Sequence, residues 1–168
     1  MSSFRDRGAK GNETEGRALS RTEIQRTIAA PADKVFAAVA DVRQFSRAVE
    51  HIERVEFVSD TRTGLGTRFR ETRLMRGREA TVELEITEFA APERVRFLSE
   101  AGGVKWDTVF TVAAGRDGNT RLMLVMEATP LTLPARLMVP LMKGMVRKAI
   151  AADMDAVKAY CERSSGGS

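Results

Sequence analysis

The sequence predicts an α+β domain in which a curved antiparallel sheet of about seven strands wraps a long C-terminal helix. Three observations carry this. Alternating apolar and polar runs recur at roughly ten-residue spacing from about residue 50 to 128, separated by turns bearing glycine or proline. After Thr129-Pro130 the apolar period lengthens to that of a helix and holds to about residue 163. Ahead of these strands, one strand is followed by two brief helical segments.

Ile24 and Ile28 mark the first strand, with Arg26 on the same face. Pro31 suits the start of a helix, and Asp33 complements its dipole. Val35, Phe36 and Val39 give that helix an apolar stripe. Asp41 can cap a second one carrying Val42, Phe45 and Val49. A strand follows at about 50–59, then a turn from Asp60 to Gly66 with two glycines. Over 67–75, Phe69 and Glu71 lie on one side and Arg68, Arg70 and Thr72 on the other. Residues 79–89 show the clearest period of two, with Ala80, Val82, Leu84 and Ile86 against Thr81, Glu83, Glu85 and Thr87. Pro92-Glu93 turns the chain before Val95 and Phe97. Gly102-Gly103 makes a hairpin. Val104, Trp106, Thr108, Phe110 and Val112 then share one face, and Leu122, Leu124 and Met126 line the inner side of the last strand. In the helix from about Pro134 to Arg163 the stripe runs through Met138, Met142, Met145, Val146, Ala149, Ile150, Met154 and Val157. Pro140 is expected to bend it or to mark where a short turn gives way to it.

A chain of 168 residues fits one domain. Residues 1–20, polar and mixed in charge, are expected to be disordered, the domain to span 21–163, and Ser164–Ser168 to be a flexible tail. Charge interrupts every apolar stretch well before about 18 residues, so no stable membrane insertion is expected. No signal-like apolar core opens the sequence, and a cytoplasmic location is the expectation. Cys161 is the only cysteine, which excludes an intrachain disulfide and a cysteine metal cage; His51 is the only histidine. No Gly-rich phosphate loop, nucleophile elbow or zinc-ligand spacing occurs, so neither cofactor nor metal is expected. The net charge is +4, but Arg68, Arg70, Arg73, Arg76 and Arg78 alternate with acids and apolar residues. That spacing fits a solvated strand face, and no nucleic acid is expected as a partner.

The order of elements resembles the START-related helix-grip superfamily, specifically its bacterial polyketide cyclase/dehydrase and lipid-transport group. The residues that carry the resemblance are Ile28-Ala29-Ala30-Pro31-Ala32-Asp33-Lys34-Val35-Phe36 before the first helix and Gly64-Leu65-Gly66-Thr67-Arg68-Phe69 opening the third strand. It covers about residues 21–162. The resemblance implies a hydrophobic cavity for a small organic molecule or lipid, and no fixed reaction.

A helix laid across a concave sheet leaves a space wherever inward side chains do not fill it. Alternation places Phe69, Val82, Leu84, Phe97, Trp106 and Phe110 on the inner wall, faced by Met138, Met142 and Met145 from the helix. Those methionines fit an adaptable wall or plain core packing. Arg26, Glu71 and Thr108 are the polar residues placed inward. A carboxylate desolvated there is a candidate acid or base, and Arg26 a candidate for holding an anionic or enolate oxygen. The competing reading pairs Arg26 and Glu71 with each other or with Arg73 near the sheet rim. Three functions follow. The first is binding of a hydrophobic small molecule, as carrier or sensor. The second is a cyclase/aromatase-type enzyme. The third is an interaction or membrane-lipid accessory role, marked by a large exposed apolar patch. The oligomeric state is not legible.

Overall fold

The structure is a computed structural model and describes residues 17–163. The disorder expected for residues 1–20 falls outside the described residues over 1–16, and the tail 164–168 falls outside them entirely. Leu19 N–H donates to Ala128 O at 2.9 Å, just ahead of the first strand.

The elements run β1 (Ser20–Ile28), α1 (Ala32–Ala40), α2 (Val42–Ala48), β2 (Ile52–Phe57), β3 (Arg68–Met75), β4 (Arg78–Ala90), β5 (Arg94–Ala101), β6 (Val104–Ala114), β7 (Thr120–Pro130) and α3 (Leu133–Arg163). Pro31 stands at the N-cap of α1, where its missing N–H costs nothing. Asp41 closes α1 and caps α2, its Oδ1 accepting from Arg43 N–H at 2.9 Å. The turn before β3 needs the left-handed conformation at Gly64 and Gly66, φ +83° and +82°.

All seven strands form one antiparallel sheet in the order β1-β7-β6-β5-β4-β3-β2. Strands β1 and β2, consecutive in sequence, therefore sit at opposite edges. The helices α1 and α2 that join them pack on each other and on α3. Cross-strand pairing lines up the inner face: Phe69 opposite Leu84, Phe97 opposite both Ile86 and Thr108, and Phe110 opposite Leu124. A register shift between Ile86 and Glu88 resets the alternation in β4. Phe89 thereby joins Ile86 on the core side, and its ring meets Phe36 edge-on with centroids 5.4 Å apart.

Helix α3 is continuous through Pro140, which lies on its solvent side. Its second half buries Ile150, Met154, Val157 and Cys161 at three- and four-residue spacing. Burial raises the Cys161 thiol above its usual range. Lys158 Nζ donates to Thr27 O at 2.7 Å, and Glu162 Oε1 accepts from Ala29 N–H at 3.0 Å, so this half is fastened to the end of β1. The first half buries only Ala135 and Val139, which share a small cluster with Val104, Trp106 and Ala128. Among the described residues no helix is long and apolar enough to cross a membrane.

Candidate ligand cavity

Between α3, the short helices and the concave sheet lies a cavity of about 100 Å³. Twelve apolar side chains line it. Leu84, Phe69, Phe97, Phe110, Leu124 and Met126 come from the sheet, Val39, Val42 and Phe45 from α1 and α2, and Ile150, Met154 and Val157 from α3.

The aromatic members Phe69, Phe97, Phe110 and Phe45 form an edge-to-face series, which Phe57, tilted against Phe69, extends beyond the lining. Phe57 and Phe69 have ring centroids 6.4 Å apart, Phe69 and Phe97 6.3 Å, Phe97 and Phe110 6.1 Å, and Phe110 and Phe45 6.1 Å. Interplanar angles of 89° and 88° at the central two contacts direct ring edges onto ring faces. At the outer end, the guanidinium groups of Arg43 and Arg62 lie 5.3 and 5.6 Å from the Phe57 ring centroid.

Four polar residues complete the wall: Glu71, Arg73, Thr108 and Asp153. Three of them are joined. Arg73 Nε donates to Glu71 Oε1, and Arg73 Nη1 donates to Asp153 Oδ2 at 2.7 Å. Glu71 and Arg73 are two residues apart on β3 and so share its inner face. Asp153 enters from α3 within the apolar spacing of Ile150, Met154 and Val157. Burial works against the Arg73 charge, but the Glu71 and Asp153 carboxylates outweigh it and hold the guanidinium above its usual range. Two acids against one base leave this corner formally negative.

Of the residues singled out from the sequence, Phe69, Glu71, Leu84, Phe97, Thr108 and Phe110 meet at this cavity. The others lie elsewhere. Val82 sits opposite Glu71, half-buried, beyond the lining. Trp106 packs with Ala128 and Val139, its Nε1 donating to Ala101 O at 3.4 Å. Met138 and Met145 are exposed and Met142 is half-buried, because they lie around the helix from the arc that buries Ala135, Val139 and Ile150. The methionines that do reach the cavity are Met126 and Met154. Arg26 shares the inner face of β1 but reaches over the sheet edge, donating from Nε to Asp155 Oδ1 at 2.6 Å. Arg73, grouped in the sequence with solvated arginines, is the inward member of that set. Its pairing with Glu71 agrees with the competing reading of Glu71 given above. For Asp153, the signal was an acid inside the apolar period of α3.

The fold is shared with solved structures of low sequence identity. The Zhui aromatase/cyclase from Streptomyces sp. R1128 matches with a TM-score of 0.73 at 22% identity, covering 89% of this chain and 99% of that one. A norcoclaurine synthase point mutant from Thalictrum flavum, in complex with a transition-state analogue, gives 0.69 at 13%, covering 88% and 96%. A START superfamily protein from Mycobacterium smegmatis gives 0.69 at 14%, covering 85% and 97%. At these identities the likeness establishes the fold alone. No curated protein sequence matches the chain. The family described as polyketide cyclase / dehydrase and lipid transport matches residues 20–162. With that match over nearly all of the described residues, and a seven-stranded sheet gripping a C-terminal helix, the protein belongs to this family.

Proposed function

We propose that the protein binds one compact, mainly apolar small molecule in this cavity, as a carrier or sensor, with the ligand's polar end turned to the Glu71–Arg73–Asp153 triad. The supporting observation is the uneven wall: twelve apolar side chains against a single joined ionic group and one hydroxyl. Sites for organic ligands have this composition. Aromatic, isoprenoid and fatty-acyl compounds are the classes it suits. At about 100 Å³ the space is smaller than the roughly 300–1,000 Å³ of typical ligand sites. A larger ligand therefore requires wall side chains to move, and unbranched Met126 and Met154 are the ones best able to do so.

The test combines native mass spectrometry of freshly purified protein with melting curves against a graded series of aromatic and acyl compounds. A ligand that prefers the folded state raises the melting temperature. The expected result is a rise for some members that Phe97→Trp, which fills the space, removes. No co-purified compound and no shift across the series would sink the proposal.

A second reading is an enzyme of the cyclase/aromatase kind. It rests on Glu71 and Arg73 standing side by side in the wall. A carboxylate there suits abstraction of a proton beside a ketone, with Arg73 stabilising the enolate oxygen. Arg26, engaged at the sheet edge, takes no part. Turnover of a poly-β-ketone thioester mimic that survives Glu71→Gln unchanged would remove Glu71 from this role.

A further inference from the structure

The first half of α3 presents its apolar side chains to solvent. Leu133, Leu137 and Leu141 are 76%, 75% and 80% exposed, and Met145 is 41% exposed. A spacing of four places them in one row along the helix, on the side opposite buried Ala135 and Val139. The row continues onto the β3–β4 hairpin tip. Arg76 Nη2 lies 3.7 Å from Met145 Sδ, and the adjacent Met75 is 49% exposed.

The charge of this surface is one-sided. From Leu131 to Ala152 there is no Asp or Glu, while Arg136, Lys143, Arg147 and Lys148 are all exposed. Helical geometry sets Arg136 beside Leu133 and Leu137 and Lys148 in line with the row beyond Met145, while Lys143 and Arg147 lie around the helix toward β1, where Arg147 Nη1 donates to Glu23 O at 3.3 Å. Arg76 and Arg78 stand beyond the other flank, with Glu79 the acid beside them. A second copy of the chain docked on this face about a two-fold axis would bring the same cations together. A surface of dispersed negative charge over an apolar interior matches it instead.

We propose that the outward face of α3 from Leu133 to Lys148, with the β3–β4 hairpin tip, docks on a bilayer containing anionic phospholipid. The leucines enter the boundary between headgroups and acyl chains, and the basic flanks meet the phosphates. The helix lies on the bilayer and does not cross it. This surface adjoins the cavity: Arg73 is two residues before Met75 on β3, and Asp153 follows Met145 by eight residues, about 12 Å along α3. The inference goes beyond small-molecule binding and holds whether or not the cavity proves to be occupied.

The experiment is flotation of the full chain with phosphatidylcholine vesicles, with and without phosphatidylserine, at low and high salt. The wild type is expected to float with the phosphatidylserine vesicles at low salt, and less at high salt. Leu137→Gln/Leu141→Gln should reduce partitioning about tenfold or more, and Arg136→Gln/Lys148→Gln should weaken its dependence on phosphatidylserine. Both pairs are exposed, so unchanged melting curves identify folded variants. Equal partition of wild type and leucine variant overturns the proposal. So does a lack of vesicle binding together with a concentration-dependent dimer that the leucine variant abolishes, which would make the face a protein interface.

Discussion

Arg73 Nη1 stands 2.7 Å from Asp153 Oδ2 and ties the third strand to the long helix across the cavity. The same guanidinium also holds Glu71. Replacing it with Met leaves two carboxylates in a largely apolar wall without their cation. A loss of about 3 kcal/mol is expected, toward the lower end for broken buried pairs because Arg73 keeps some solvent contact. Urea titration should show it. The triple change Arg73→Met/Glu71→Gln/Asp153→Asn should recover part of the loss, because the three groups act as one network.

The helix is also fastened to β1 by carboxylates whose affinity for protons is lowered. Arg26, as hydrogen-bond donor, holds Asp155 below the usual carboxylate range, and the Ala29 N–H followed by Lys158 does the same to Glu162. A group with a depressed folded pKa adds stability above its unfolded pKa and loses it as pH falls through the folded one. Stability should therefore decline on acidification below about pH 4. Asp155→Asn should flatten part of that decline and cost about 0.2–1 kcal/mol at neutral pH, since the pair is largely solvated. Urea midpoints between neutral and acidic pH, compared for wild type and variant, test both signs.

Two neighbouring glycines should respond differently to alanine. Both are left-handed, Gly102 at φ +61° and Gly103 at +72°. A Cβ at Gly102 meets open space, so the cost is the backbone strain, about 1–2 kcal/mol. A Cβ at Gly103 would lie 2.7 Å from Thr132 Oγ1, at the entry to α3. Gly103→Ala should cost more than Gly102→Ala and also quench or shift the fluorescence of Trp106, which packs under that end of the helix. Equal melting temperatures would show that Thr132 yields freely.

Phe97 lies at the centre of the ring series, edge-to-face with both Phe69 and Phe110. Phe97→Ala should cost about 3–5 kcal/mol and enlarge the cavity. Benzene or a similar small aromatic should then raise the variant's melting temperature more than the wild type's, since a dry apolar void of that size takes up such ligands.

At the β4 irregularity the Thr87 hydroxyl is buried with no hydrogen-bond partner among the described residues. Thr87→Val keeps the shape and removes the unpaired group. It should be neutral or stabilise by up to about 1 kcal/mol in thermal unfolding, against the usual direction of core substitutions.

The strands were legible because one buried face forces a period of two, and every inward position from Phe69 to Phe110 that reaches the cavity follows that period except across the β4 bulge. Phe89 escaped for that reason: one extra residue moved it to the core side, and no local pattern announces a bulge. The helix misled through composition. Met138, Met142 and Met145 read as lining because methionine is apolar, yet the helix turns them to its flank, while Asp153 was hidden by its charge. Arg26 was placed on the right face of β1, but a side chain that long leaves its strand, and only the position of Asp155 on α3 decides where it ends. In the ionic corner of the cavity, the spacing of two on β3 makes the Glu71–Arg73 pair legible, while Asp153 on α3 is brought to it only by the fold.

The placement of β1 and β2 at opposite edges of the sheet has a mechanical consequence. The segment from Ala29 to His51, which connects them, acts as a tether of fixed span, because most of it is wound into α1 and α2 and cannot lengthen without unwinding. Spreading the two edges apart is thus resisted by the chain itself as well as by the ladders between them. Helix α3 is bonded to the sheet along its second half, through Asp153, Asp155, Lys158 and Glu162, whereas its first half buries only Ala135 and Val139. Admission of a guest larger than the present void is accordingly expected to proceed by tilting of that helix about its second, fastened half, with the sheet serving as the rigid member.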